Sequence, residues 1–307
     1  MHIILESRVF SNFGDPIQKI WRLLEQLSSA DISEAIFLDY KEAKFTNPFF
    51  LLSLPLIVEQ YKRKGYNINI STDFNHGYFK DYMHYVNFPE GLDPDKLEGD
   101  FNQFIAGYQN KSYIPIICFP TGSSANVTEI RDAFLSAVNQ LLVKICGVSA
   151  NMITALMYLI DEAVNNVLHH SKDDKGYLFA QYYKSEGYID LVVADIGQTI
   201  LETYAGFEKL KNEVTNHRLA MEAALGGKST KSADVDRGFG ISTSKELLTK
   251  GLNGKYFIYS GNVCNMHNSE INEIYELPET IYWQGVYLCL RIPVIPKPGF
   301  RPSDYYE

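Results

Sequence analysis

Cysteine is scarce and never clustered: Cys118, Cys146, Cys264 and Cys289 lie far apart in a chain of 307 residues. No CxxC pair occurs, so the spacing supports no zinc site, and a disulfide framework is not expected at this length. No uninterrupted apolar stretch approaches the roughly 18 residues that a membrane span needs. The opening residues, MHIILESRVF, lack a basic leader followed by a long apolar core, so no signal peptide is expected. Long basic runs are missing too. With a formal net charge of −9 and a pI near 5.3, the surface is acidic, and nucleic acid, which needs a basic patch, is not an expected partner. HExxH, GxGxxG and GxxxxGK(S/T) are all absent, which excludes a zinc protease signature, a dinucleotide fingerprint and a P-loop. There is no internal repeat. A reduced, cytoplasmic protein without membrane contact is the expectation.

What is present describes an ordinary globular chain, with 46% hydrophobic and 21% charged residues. The first part alternates strand and helix patterns. HIILES reads as a strand and GDPIQKIWRLLEQLSS as a helix, with Asp15 at the N-cap, Pro16 at the first helical position and Gln18 completing a capping box. AIFLDY is a short buried strand. NPFFLLSLPLIVEQYKRKG is a helix stopped by Gly65, with Lys62, Arg63 and Lys64 suiting its negative end, and YNINIS is a further strand. This order predicts an α/β module over residues 1–115. The pattern weakens over 87–120, which places a domain junction near 110–125. A second domain, 123–295, opens with helical patterns at 126–145 and 149–171 and continues with the strand-like runs GYLFAQYY, YIDLVVAD, GKYFIYSG and GVYLCLRIP. A long stretch, 196–255, holds two further helical patterns and a Gly/Ser/Thr/Lys-rich loop, and 296–307 reads as a tail.

Three segments carry candidate chemistry. On the 149–171 helix, Leu156, Leu159, Ile160, Ala163, Val164, Val167 and Leu168 have the spacing of one buried face. Glu162, Asn166 and His170 recur every four residues and form a polar line along its edge. Such a line can border a cleft or be an ordinary hydrogen-bonded surface. His169 and His170 are adjacent and point about 100° apart, so they do not share a metal ion easily. In LVVADIGQT an apolar strand ends in Asp195, and Gly197 allows a turn or a close backbone approach; the carboxylate is a turn residue or an acceptor for a base amino group. In GGKSTKSADVDRGFGISTSKELL, Gly238 and Gly240 bracket Phe239 before a helical pattern beginning near Ile241. Closely spaced glycines there are a common turn, or they bare backbone N–H groups for phosphate. Lys228, Lys231 and Arg237 add positive charge beside them.

Taken in order, E-x3-N-x3-H on a helix, D-x-G after a strand and RGFG opening a helix resemble the GHKL ATPase superfamily. That superfamily includes gyrase-type ATPases, heat-shock chaperones, histidine kinases and anti-sigma-factor serine kinases. The resemblance covers residues 123–293 and implies a Bergerat-type α/β (α+β sandwich) fold, with a mixed sheet covered by helices on one face. It implies ATP and Mg2+ as ligands. Asn166 matches the Mg2+ ligand and Glu162 the carboxylate that polarises an attacking water or hydroxyl. His170 matches a family position, Asp195 the adenine-binding aspartate, and Gly197 its companion in the same box. Ser229, Thr230 and Lys231, within 229–236, match a lid over the triphosphate, with Arg237 beside it. Gly238, Phe239, Gly240 and Ile241 match the second glycine box. Mg2+ retains several waters and takes one or two protein oxygens, so a single Asn with phosphates suffices. One departure is Thr199 where the family's second glycine stands, which leaves adenine selection intact and puts lid flexibility and turnover in doubt.

FLDYKEAKFTNPFFLLSLPLIVEQYKRKGYNINI resembles the STAS domain of anti-sigma-factor antagonists. Where those carry a phosphorylatable serine, this chain reads NPFF, Asn47 to Phe50, and nearby Thr46 reads as a turn or strand-end residue. The two resemblances imply an ATP-using regulator that hydrolyses ATP or phosphorylates a protein serine or threonine, with a protein partner and a possible homodimer. The alternative they leave open is a non-catalytic, nucleotide-gated binding module. No dimerising hairpin with a phospho-acceptor histidine is evident, so a histidine sensor kinase is not expected.

Overall fold

The computed structural model describes residues 1–10, 12–93, 101–121, 128–129, 132–133, 135–137, 147–173, 175–228 and 240–305. A small parallel sheet is ordered β1 (His2–Ile4), β2 (Ile36–Asp39), β3 (Ile68–Ile70). Parallel neighbours cannot be joined by a tight turn and need a crossover. The helix α1 (Gly14–Ser28) supplies the first, and α2 (Pro48–Leu51) with α3 (Ser53–Arg63) the second. The break between α2 and α3 has a local cause: Pro55 has no N–H to donate to the Leu51 carbonyl. Gly65, at φ +90°, ends α3 as expected. The start of α1 differs from expectation. Phe13 occupies the N-cap without a side-chain bond, and Asp15 lies in the first turn. There its carboxylate accepts the Phe10 N–H at 2.9 Å and pairs with Lys19 at 3.2 Å, so it is already engaged and does not cap. The helix α4 (Gly77–Tyr85) closes this part.

The rest of the chain builds a sheet of seven strands. After α5 (Phe101–Ala106) come β4 (Tyr113–Pro120), α6 (Ala150–His170), β5 (Lys175–Tyr183) and β6 (Tyr188–Ala194). Then follow α7 (Ile200–Ala205), α8 (His217–Leu225) and α9 (Gly240–Glu246), the last continuing as a π-helical turn, Leu247–Gly251. The strands β7 (Lys255–Gly261), β8 (Val263–His267), β9 (Asn272–Glu276) and β10 (Trp283–Pro293) complete the sheet in the order β4-β5-β6-β10-β7-β8-β9.

Two expectations are corrected here. Every neighbouring pair is antiparallel, so the sheet is not mixed. The crossover through α7–α9 does leave β6 and β7 pointing the same way, but β10 inserts between them and pairs antiparallel with both. Nor is one face left open. Leu178, Leu191, Val193, Leu288 and Leu290 pack with α6–α9, while Phe179, Val192, Phe257, Tyr259, Trp283 and Tyr287 enter a second core with Ile17, Ile20, Leu24 and Phe49 from α1 and α2. Strands apolar on both faces need cover on both; the front helices supply the second cover, so the two units share a core. The strand β4, at the expected junction, pairs with β5 (Ile114 with Ala180, Ile117 with Leu178). The supposed tail is also docked: Phe300 is buried in the helix-side core, and its carbonyl accepts from Asn151 Nδ2 at 3.3 Å. The helical pattern expected at 126–145 lies largely outside the described residues. Among the described residues, no helix is long and apolar enough to cross a membrane.

Candidate functional site

The site is built on α6. Ser149 caps it, its hydroxyl accepting the Met152 N–H, and Met152, Ala155, Leu156, Leu159, Ile160, Ala163, Val164 and Val167 face the core. With that stripe fixed, residues one step round the helix are held at the rim of the core. Glu162, Asn166 and His170 stand there, half-buried, and all three line one cavity. Gly240, the first residue of α9, lies against the Glu162 carboxylate so closely that a Cβ at Gly240 would fall 2.2 Å from Oε2.

Asp195 enters the same cavity from the end of β6 and is 1% exposed. Its backbone N–H donates to the Val286 carbonyl at 3.0 Å, and its Oδ1 accepts the Gly197 N–H at 2.8 Å. The Ser171 hydroxyl lies against Gly197 beside this carboxyl, 2.5 Å from where a Cβ on Gly197 would stand. Burial pushes the Asp195 carboxyl up to about 7, against the pull of the Gly197 N–H and Ser171; the nearby Asp173 charge pushes it further upward. Two glycines make the corner possible. A Cβ on Gly197 would lie 2.0 Å from the Ser171 carbonyl oxygen, and one on Gly285, at φ +85°, would lie 2.4 Å from the Asp195 carbonyl oxygen. Gly197→Ala is therefore expected to cost about 1–3 kcal/mol by overpacking, measured as a lowered urea midpoint, because backbone rather than a flexible side chain must move.

The remaining wall is mostly apolar: Val167, Val193, Ile200, Tyr256, Ile258, Val286 and Leu288. About 950 Å³ of space, open solvent at the mouth included, lies between these walls. The helix α7 contributes Ile200, Thr203 and Tyr204, and the Tyr204 hydroxyl donates to the Lys228 carbonyl at 2.6 Å. Lys228 lines the cavity while its ammonium pairs with Glu213 at 3.2 Å.

Glu162, Asn166, His170, Asp195, Gly240 and Ile241 are thus gathered around one space. Gly197 borders it through its N–H to Asp195. Thr199 does not line it: fully buried, it is the N-cap of α7 in a reciprocal capping box with Glu202, whose carboxylate accepts the Thr199 N–H at 2.7 Å. A hydroxyl in place of a glycine here starts the helix that brings Thr203 and Tyr204 to the cavity. Ser229, Thr230, Lys231, Arg237, Gly238 and Phe239 lie outside the described residues. Ser171, Tyr204, Tyr256 and Ile258 were not singled out from sequence; Ser171, four residues after Val167, continues the buried face of α6 and not its polar line. The strand residues read only as core.

Chemically, the cavity places a buried acceptor among apolar walls at one side and a carboxylate, an amide and an imidazole in a row at another. That combination suits a ligand with a flat, amino-bearing apolar part and a polar, anionic part. Among the described residues no group of three or more His, Cys, Asp or Glu is arranged to hold a metal ion, so any cation here would rest mainly on the ligand's oxygens and the Asn166 amide. No protein-family model matches this chain, and no curated protein matches it.

Proposed function

We propose that this protein binds Mg-ATP in the α6 cavity and uses it as a regulator, hydrolysing it or transferring its phosphoryl group to a protein serine or threonine. The observation that carries the reading is the convergence of the α6 row (Glu162, Asn166, His170) with the buried carboxyl of Asp195 on one cavity. The motif order that resembles the GHKL ATPases supports it.

The residues present fit the ligand. Asp195, walled by Val193, Val286 and Leu288, would accept an amino hydrogen of the base where water is excluded and the selectivity of an acceptor is greatest. The Asn166 side-chain oxygen would take one position on Mg2+, which needs few protein ligands. Bound Mg-ATP supplies a phosphoryl group whose transfer demands placement and charge neutralisation more than covalent help. Glu162 is the group that would accept the proton of an attacking water or hydroxyl.

Asp195→Asn tests the assignment. ATP affinity is expected to fall about tenfold to a hundredfold, as when a buried acceptor is replaced by a group that presents a donor; unchanged affinity in a magnesium-containing titration overturns the site. Stability should move oppositely. In the unliganded protein the folded carboxyl lies near 7 against 3.8 in the unfolded chain, so the folded state binds the extra proton between those values. Stability from this group is therefore complete below pH ~4 and declines as pH rises to ~7. The asparagine variant, with no charge to bury, should exceed wild type by about 1–2 kcal/mol at pH 8 in urea denaturation and lose that advantage at pH 4.

A labelled-ATP assay with and without cell lysate separates the modes. Free phosphate marks hydrolysis and a single labelled protein marks a kinase. Binding with neither product marks the nucleotide-gated module.

A further inference from the structure

We propose that Arg63, at the end of α3 in the front unit, is a positioning residue for Asp195, acting through Asp173 and Ser171. This rests on Asp195 being the base-reading carboxylate of the nucleotide site. It makes the front unit part of that site's framework.

Arg63, Asp173 and Ser171 are joined by direct contacts, and Ser171 meets Asp195 through the Gly197–Gln198 backbone. Arg63 Nη1 donates to Asp173 Oδ2 at 3.0 Å, and Arg63 Nε donates to Glu59 Oε1 at 3.1 Å, one turn earlier on α3. The Asp173 side chain is 7% exposed although Arg63 is 42% exposed, so the bridge is anchored at its inner end. The Thr121 hydroxyl donates to the Asp173 carbonyl from the end of β4. The Asp173 N–H donates to Ser171 Oγ at 3.2 Å, and on the far side the Gly197 N–H donates to Asp195 Oδ1 at 2.8 Å. The Ser171 carbonyl in turn accepts the Gln198 N–H at 2.6 Å, and it passes so near Gly197 that no side chain fits between them. The loop after α6 is therefore clamped to the Asp195–Gly197 corner on one side and to α3 on the other.

The clamp also has an electrostatic reason. Asp173 is negative and close enough to Asp195 to oppose its ionisation. A guanidinium on Asp173 offsets that charge and holds the loop where the Ser171 carbonyl meets the Gln198 N–H. Without Arg63, a nearly buried carboxylate loses the guanidinium bonded to it at 3.0 Å, and residues 171–173 are freer to move toward solvent. The Asp195–Gly197 corner then loses the Ser171 backbone packed against it. Other contacts of the front unit end elsewhere, Asn47 Nδ2 on Asp190 Oδ2 and the Tyr82 hydroxyl on Gln181 Oε1, both at 2.9 Å, and Gln60 Nε2 on the Tyr282 carbonyl at 3.3 Å; Arg63 alone among these reaches the loop packed on the Asp195–Gly197 corner.

The test uses the full-length protein and two probes, Mg-ATP and Mg-tripolyphosphate, the second lacking a base. Arg63→Gln is expected to weaken Mg-ATP binding roughly threefold to tenfold, in the range of coupling through one such contact, with tripolyphosphate binding unchanged. Arg63→Lys should retain affinity within about twofold, since it keeps the charge. In an Asp195→Asn background the Arg63→Gln effect should vanish, because coupled residues are not additive. Equal losses for both probes, an undiminished effect in the Asp195→Asn background, or unchanged ATP affinity each overturn the proposal while leaving the ATP reading in place. Wild-type protein that binds neither probe overturns both.

Discussion

Glu162→Gln is expected to leave Mg-ATP affinity within about threefold of wild type and to reduce turnover by about 10²–10⁴-fold, the usual contribution of a positioned general base. The glutamine matches the carboxylate in size and half-burial, so the row on α6 and its contact with Gly240 are kept. What disappears is the ability to take a proton. Because Glu162 stands one helical turn before Asn166, the change leaves Asn166, the proposed magnesium ligand, in place. Single-turnover phosphate release, or label transfer where a protein substrate is found, is the measurement. Turnover that survives the substitution would place the base elsewhere, whereas loss of binding together with turnover would mean that Glu162 is structural.

The second large effect concerns stability. Asp190 on β6 is fully buried and receives two hydrogen bonds from Arg291 on β10, each 2.7 Å. The remaining capacity of Asp190 Oδ2 is met by Asn47 Nδ2 at 2.9 Å, from the front unit. The Arg291 guanidinium lies 4.0 Å from the Tyr188 ring centroid, with Phe13 and Phe49 on its other sides. Although burial works to lower the Arg291 pKa, the hydrogen bonds and charge of Asp190 outweigh it and hold the value above the usual range. Removing one member strands the other's charge, which typically costs 3–5 kcal/mol. Arg291→Met is expected to destabilise by about that amount in urea denaturation. Arg291→Met with Asp190→Leu should recover much of it, since a neutral pair carries no desolvation cost. Recovery should stay incomplete because Asn47 Nδ2 then has no acceptor. Full recovery would mean that Asn47 contributes nothing to the junction.

Asn47 also bears on what the front unit does. At the start of the NPFF stretch, this asparagine is wholly buried, caps α2 through the Phe49 N–H at 2.8 Å and binds Asp190. Neighbouring Thr46 is 3% exposed. Neither side chain is placed for modification, which agrees with a front unit that is fixed to its partner.

Much of the candidate site was legible because its signals are local. Helical periodicity reports which side of an element is buried, so Val164 and Val167 marked the core face of α6 and placed Glu162, Asn166 and His170 at its edge. A carboxylate ending an apolar strand, followed by Gly197, marked the corner. The same locality explains what was missed. Arg63 read as an ordinary basic residue at a helix end, and its partner Asp173 is 110 positions away. Asp190 read as a polar interruption in YIDLVVAD, and Arg291 lies 101 positions further on. Thr199 read as a departure from a glycine pattern, and only the Glu202 contact made it a cap.

The sequence by itself determined the strands β1–β3, β5–β7 and β10, the buried stripe of α6 and the residue types at the cavity rim, since these follow from spacing along one helix or strand, whereas β4, β8, β9 and α4 were not read from it. Only the tertiary structure decided that β10 lies between β6 and β7, that the front helices cover the second face of the sheet, and that Arg63 reaches the loop beside Asp195. Periodicity states that a face must be buried; which surface buries it depends on contacts between residues far apart in the chain, and no local pattern encodes those.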